Sequence, residues 1–327
     1  MSAYPKGPRN SLTDVRDVRV GHLTRVAPAG AGRIRTGITS IFLRPPKGQQ
    51  MRPAAVVAAG GGIEVTGLCF LEDFGVLMTP IVAASIRAVG RVHDAMVGRR
   101  YEMDLGWPPT VVGFNDAPLN DVRSLPFTEA EVGRSFSDAS SGPVVEGAVG
   151  IGAGLVAFGF KSGVGSASRI VTPAGGRPHT IGALAALNLG RRGSLRLDAG
   201  AAIAPATAGP ARVQGSAFVV AVTDAPLDDR QCRRVALGAL QGLARIGATP
   251  GAGETVVAFG VSTGVLLTRN DRSAAQIDFT PVSEAALSGL ADAAAEAAEE
   301  SARRSLSTVA PADATPDYPV FPGGKFP

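Results

Sequence analysis

Two-thirds of the way along this 327-residue chain, a segment with no periodicity gives way abruptly to an unbroken apolar run. Residues 193–214 (GSLRLDAGAAIAPATAGPARVQ) are dominated by Gly, Ala and Pro, whereas Ser216 to Val222 reads SAFVVAV. A strand of that composition has no face suited to water, so it belongs in the middle of a sheet covered on both sides. Residues 216–327 hold too few strand patterns to complete such a sheet. Strands and helices from both halves must therefore share one core, and we expect a single domain over 1–327.

The rest of the chain offers the partners. Val15 to Val20 alternates apolar and charged residues like a half-buried strand, and Ile38–Leu43, Ala54–Ala59, Val76–Ala84, Thr110–Gly113 and His179–Leu189 are further strand candidates. Short helices are expected at Glu64–Asp73, Arg87–Val97 and Phe127–Ser137. Gly147–Gly154 (GAVGIGAG) and Ser162–Arg169 (SGVGSASR) read as glycine loops, and 193–214 as a linker or exposed loop. Turn and cap chemistry in Thr223-Asp224-Ala225-Pro226 precedes a helix over Asp228–Ile246. Leu237, Leu240, Leu243 and Ala244 give that helix an apolar face at helical spacing. Thr255–Val261 is a strand, and Ser283 caps a long Ala-rich helix that reaches Leu306.

Composition excludes several classes. With 45% hydrophobic residues the chain can bury a large core. It has no apolar run long enough to span a membrane, and no apolar signal core among its first 30 residues. Two cysteines, Cys69 and Cys232, cannot make a disulfide framework, and they fit a reducing, cytoplasmic setting. Beside them stand only His22, His93 and His179, without zinc-ligand spacing, so no metal is expected. The net charge of +4 comes from 32 Lys and Arg interspersed among 28 Asp and Glu. No basic stripe with interleaved aromatics suggests nucleic acid. Gly150, Gly152 and Gly154 lack the third spacing of a dinucleotide loop, and no P-loop, G-x-S-x-G elbow or H-E-x-x-H is present, so no cofactor is expected.

The chemistry concentrates at Gln214-Gly215-Ser216, where the flexible segment meets the buried strand. A serine hydroxyl there can attack the carbonyl of Gly215, which has no side chain in the way. The resulting ester, once hydrolysed, frees Ser216 as a new N-terminus. Its α-amine, with an unperturbed pKa of about 7.7–8.0, can then serve as base for its own hydroxyl. In the uncut chain the same nitrogen is an amide and cannot do so.

From about residue 12 to 305 the chain resembles the self-cleaving L-aminopeptidase/D-esterase and β-peptidyl aminopeptidase family. The resemblance rests on an ordered set of motifs. These are Thr13–His22 (TDVRDVRVGH), Arg35–Ile41 (RTGITSI), Gly60–Gly67 (GGGIEVTG) and a VVG…LND stretch ending at Asp121. They continue with Ser140–Gly154, Lys161–Arg169, Leu187–Arg192 (LNLGRR) and Gly215–Leu227 (GSAFVVAVTDAPL). It implies an α+β fold, an αββα sandwich like that of N-terminal-nucleophile hydrolases. It also implies self-cleavage between Gly215 and Ser216 into an α chain (1–215) and a β chain (216–327), oligomers of such αβ units in the cytoplasm, and no metal. By the same resemblance Ser216 is the nucleophile, Asn188 the side-chain oxyanion donor and Glu254 the acid that supports the nucleophile's amine.

Two departures bear on substrate. Where the family carries Glu-Thr-Tyr-Asp-Gly, with a Glu for the substrate's amine, this chain reads Gly113-Phe114-Asn115-Asp116-Ala117-Pro118. Its Ser-Gly-Glu appears as Ala252-Gly253-Glu254. Phe114, Asn115 and Asp116 are the substrate-binding candidates, with Asp116 the only carboxylate among them. The expected function is a self-processing serine hydrolase of peptide or amide bonds. The alternatives are a biosynthetic amide hydrolase or acyltransferase for a non-peptide, pantetheine-like substrate, and an inactive scaffold.

Overall fold

The computed structural model describes residues 3–27, 33–43, 50–98, 108–121, 123, 127–198, 201–202, 212–268 and 279–322. Along the first half run β1 (Arg19–Val26), β2 (Arg35–Phe42), β3 (Gln50–Ala59), β4 (Glu64–Val65), α1 (Leu68–Phe74), β5 (Val76–Leu77), β6 (Ile81–Ser85), α2 (Val89–Gly98), β7 (Thr110–Phe114) and α3 (Glu129–Ser137). The second half adds β8 (Val156–Ala157), β9 (Phe160–Lys161), β10 (Val164–Val171), β11 (His179–Arg191), β12 (Arg196–Asp198) and β13 (Ala201–Ala202). It closes with β14 (Arg212–Thr223), α4 (Asp229–Arg245), β15 (Thr255–Ser262), β16 (Leu267–Thr268) and α5 (Glu284–Ser307).

The main strands form two sheets. One has the order β1-β2-β6-β7-β4; the other runs β10-β11-β14-β15-β3-β16, with β5 also paired to β3. The apolar run of β14 lies in the middle of the second sheet, antiparallel to β11 and parallel to β15. Its alternate residues go to opposite faces, as strand geometry requires. Ala217, Val219 and Ala221 pack with α4 and α5, while Phe218, Val220 and Val222 meet Ile41, Ile81, Val112 and Phe114 of the other sheet. On the far side of that sheet Ile38, Val82 and Val111 are covered by α2 and α3. The layers are thus helices, sheet, sheet, helices, the αββα sandwich. Between the sheets Phe218 sits edge-on to both Phe114 (centroids 6.1 Å apart) and Phe259 (6.0 Å), each such pair worth about 0.5–1.5 kcal/mol beyond its buried area.

The long helices begin where their caps dictate. Asp228 accepts from the Gln231 amide at 2.6 Å, and Ser283 from that of Ala286 at 3.3 Å, each satisfying one of the free N–H groups of a first turn. The turn residues Thr223 to Pro226 come earlier and close the strand instead.

Five expectations need correcting. Val15–Val20 is not one strand: Asp17 turns the chain at φ +69°, and the strand begins at Arg19. Asp17 is held there by Arg52 at 2.8 Å. The helix expected at Glu64–Asp73 starts only at Leu68, because Glu64 and Val65 pair with β7 as a short edge strand. Val76–Ala84 is two strands separated at Met78–Pro80, since proline cannot donate to a ladder. Ser162–Arg169 is mostly β10 rather than a loop. Its Gly165 is there for close approach, since a Cβ at that position would stand 2.0 Å from the Ser301 carbonyl of α5. Within 193–214 the described residues include β12 and β13, and β14 begins already at Arg212; residues 203–211 lie outside the described set.

Candidate active site

Asn188 and Ser216 are cross-strand partners on β11 and β14. Alternation puts Ser216 on the same face as Phe218 and Val220, and Asn188 on that of Leu184 and Ala186, the face that looks into the space between the sheets. Both are buried, Ser216 at 2% exposure. On the other flank the parallel strand β15 places Thr255 opposite Ser216. Glu254, also buried, immediately precedes it. The structure therefore brings the three sequence-proposed residues to one end of the central strands.

The Asn188 carboxamide has a defined orientation. Its Oδ1 accepts the Val156 amide at 3.1 Å, and its Nδ2 donates to the carbonyl of Asn115 at 2.7 Å. An amide N–H can only donate and a carbonyl only accept, so this pair of partners leaves no ambiguity over which end is nitrogen. The donor crosses from one sheet to the other, because Asn115 directly follows β7. A register shift between Asn188 and Gly190 carries the strand past this point. Gly190 adopts φ +109°, and a Cβ there would lie 2.6 Å from the Phe158 ring. Only glycine fits both conditions.

Gly215 has a similar steric requirement. A Cβ at this residue would lie 2.2 Å from the Asn188 carbonyl oxygen and 3.0 Å from its Nδ2. Gly215, the residue before the candidate nucleophile Ser216, thus runs against the backbone and side chain of the oxyanion-donor candidate. Thr255 receives a hydrogen bond on its Oγ1 from the Gly62 amide, so the Gly60–Gly62 turn lies over this end of β15. One carboxylate oxygen of Glu254 accepts the Gly251 amide at 2.7 Å, which fixes the acid at the start of that strand.

The three substrate candidates separate. Phe114 is fully buried and its ring packs on Phe218 in the inter-sheet core. Asn115 is exposed, with its carbonyl on Asn188 and its Oδ1 accepting the Ala117 amide at 3.2 Å. Asp116 is fully buried and its carboxylate accepts from Thr36 (2.7 Å), Ser85 (2.8 Å) and Asn120 (3.1 Å). Burial nonetheless pushes its pKa up, the three hydrogen bonds opposing that only in part. A carboxylate so engaged ties β2, β6 and the loop after β7 together.

Sequence reasoning gave no site role to Thr255, to the Val156 amide or to the glycine turn at 60–62, although Gly60–Gly67 was one of its motifs. Only the position of Thr255 one residue after Glu254 hinted at its place. The others belong to segments far away in sequence, brought in by pairing of β3 with β15 and by the β8–β9 hairpin. Among the described residues no group of three or more His, Cys, Asp or Glu is assembled to hold a metal ion.

The peptidase family S58 profile matches residues 10–316. A β-peptidyl aminopeptidase of Sphingosinicella microcystinivorans is 34% identical, over 77% of this chain and 70% of that protein. Among solved structures, a Burkholderia sp. β-aminopeptidase superposes with a TM-score of 0.84 at 34% identity, covering 94% of this chain and 89% of the other. The L-aminopeptidase D-Ala-esterase/amidase of Ochrobactrum anthropi, described as a prototype of the serine aminopeptidases and a variant of the N-terminal-nucleophile hydrolase fold, gives 0.84 at 32% identity over 94% and 89%. These relatives weigh against the acyltransferase and scaffold readings. On its matched length, its αββα layers and its shared fold, the chain belongs to peptidase family S58 and is an aminopeptidase-type hydrolase of amide bonds.

Proposed function

We propose that the chain cuts itself between Gly215 and Ser216 and then hydrolyses small peptides or amides with Ser216 as its N-terminal nucleophile. The observation that carries this reading is the cross-strand pair Asn188–Ser216, both on the inter-sheet face, with Gly215 pressed against the Asn188 backbone. In processing, Ser216 Oγ attacks the Gly215 carbonyl carbon, the C–N bond breaks, and the amine leaves as an ester forms. Water then releases the 1–215 and 216–327 chains. In turnover the freed amine takes the hydroxyl proton as Oγ attacks a substrate carbonyl and returns it to the leaving amine, and water then hydrolyses the Ser216 ester, freeing the acid and restoring the hydroxyl. Asn188 Nδ2, now on Asn115, turns its donor to the oxyanion, and Glu254 supports the ammonium form of the amine. Oligomers of αβ units are part of the same reading.

A second substrate reading has its own observation. The carboxylate in 113–118, that of Asp116, is already taken by three side-chain donors. A substrate whose amine is acylated would not require a carboxylate from that segment. Matched p-nitroanilides with free and N-acetylated aminoacyl groups separate the two. Release from the free-amine set alone supports the aminopeptidase reading that the relatives favour; release from the blocked set alone supports the other. No release from either set by cleaved protein counts against the proposed hydrolysis.

A further inference from the structure

Lys161 departs from ordinary burial rules. Its side chain is 0% exposed, where lysine is almost never found without compensation. Among the described residues no carboxylate oxygen receives its hydrogen bonds. Instead Nζ donates to the carbonyls of Gly152 (2.7 Å), Leu155 (3.1 Å) and Ser162. Three carbonyl dipoles satisfy its three N–H groups, so the head is fully engaged.

One of those carbonyls is special. The Leu155–Val156 peptide group receives Lys161 at its oxygen, and its N–H donates to Asn188 Oδ1 at 3.1 Å. Asn188 then donates from Nδ2 to the Asn115 carbonyl at 2.7 Å. The result is an unbroken chain from the buried ammonium, through one peptide group and one side-chain amide, to the atom proposed to meet the oxyanion. Hydrogen bonds in such a chain polarise one another, by about 10–30% per bond. Lys161 is itself anchored, its backbone N–H bonding the Pro319 carbonyl at 2.9 Å. The β8–β9 hairpin that holds it turns at Phe158 (φ +54°) and Gly159 (φ +78°). Arg192 fastens that turn by donating to the Gly159 carbonyl at 2.9 Å.

We propose that Lys161 is a positioning residue for catalysis: it holds and polarises the Leu155–Val156 peptide group, which in turn orients Asn188 as the oxyanion donor. The inference rests on the oxyanion reading of Asn188. Its electrostatic setting is mixed. Asp313 favours the ammonium and Arg35 opposes it, while burial dominates and pushes the amine down to about 7. Nearby stand Asp116, whose Cβ would touch a methyl at Gly154, Arg192 over the Phe160 ring, and Tyr318 in the cluster with Val156. Protonated Lys161 polarises the relay most, so the relay weakens as pH rises through about 7.

The test is a double-mutant cycle on the cleaved enzyme with Lys161→Met and Asn188→Ala. Lys161→Met is expected to lower kcat about tenfold, less than full loss of an oxyanion donor, with KM nearly unchanged and the decline of kcat above neutral pH removed. In the Asn188→Ala background the same substitution should have no further effect. If Asn188→Ala itself leaves kcat unchanged, the oxyanion reading fails. If it lowers kcat while Lys161→Met does not, or if the two losses multiply, the Lys161 inference alone fails. Should Lys161→Met not fold, the full-length Ser216→Ala chain, which lacks the new α-amine, carries the test. Its 15N-valine spectrum, with Val156 assigned by loss of the peak in Val156→Ile, should show that amide shifting with a midpoint near neutral pH, and still doing so in Asp116→Asn. A Val156 amide that does not move between pH 6 and 8 overturns the proposal.

Discussion

Gly215 shows how much depends on single atoms at this site. A methyl there would collide with the Asn188 carbonyl at 2.2 Å, so Gly215→Ala is expected to slow self-cleavage by pushing β14 off β11. Time-resolved denaturing gels of freshly made protein check this, and cleavage at the wild-type rate would remove the steric argument. Asn188→Ala should lower kcat by about 10²–10³, with a smaller effect on KM, in steady-state kinetics on the cleaved form. Glu254→Gln should shift the acid limb of the kcat/KM profile, because the carboxylate proposed to support the nucleophile's amine is gone. An unchanged profile would remove Glu254 from that role. At this scale the sequence was partly legible. Ser216 stood out because an apolar run began there, and Asn188 and Glu254 were reached only through a resemblance. Lys161 was visible as a letter but not as a device, since no local pattern announces that the Gly152, Leu155 and Ser162 carbonyls will converge on one amine.

Elements were read well where local rules and tertiary packing agree. The helix starting after Ser283 was legible to within a residue at each end because cap, composition and burial coincide. Strand β10 was misread because glycine was taken as a sign of a loop, whereas Gly165 lets α5 lie directly on the sheet. The same logic governs the pair of long helices. A Cβ on Gly242 of α4 would lie 2.2 Å from the Ala295 carbonyl of α5. Gly242→Val should therefore destabilise the fold by about 1–3 kcal/mol, the usual cost of overpacking, measured by urea unfolding of the uncut Ser216→Ala chain. A loss within experimental error would mean that the two helices separate freely.

For the whole molecule, the four layers explain why both halves of the chain are needed: β14 and β15 take partners from β11 and β3, on the other side of the proposed cleavage point. The cut chains are therefore expected to stay together through that sheet. The layers also bury titratable groups, and His22 is one whose effect has a definite sign. Burial pushes its pKa from 6.5 down to about 4, more than the backbone of Val145 offsets. As pH falls from 6.5 towards 4, the unfolded chain takes up the proton first, so stability drops, by about 1.4 kcal/mol per pH unit. Above 6.5 both states are neutral at this residue and the effect vanishes. Unfolding of Ser216→Ala protein from pH 7 to 4.5 should show this loss, and His22→Asn should reduce its slope. Equal slopes would mean that other groups govern the acid limb.

The central claim is that Ser216 becomes an N-terminal nucleophile, and intact-mass analysis of denatured, freshly purified protein tests it most directly. Wild type should give two species, 1–215 and 216–327, the smaller beginning Ser-Ala-Phe-Val, while Ser216→Ala should remain one full-length, inactive chain. An uncut wild-type chain that hydrolyses amides, or a Ser216→Ala chain that is cut and active, would contradict the account.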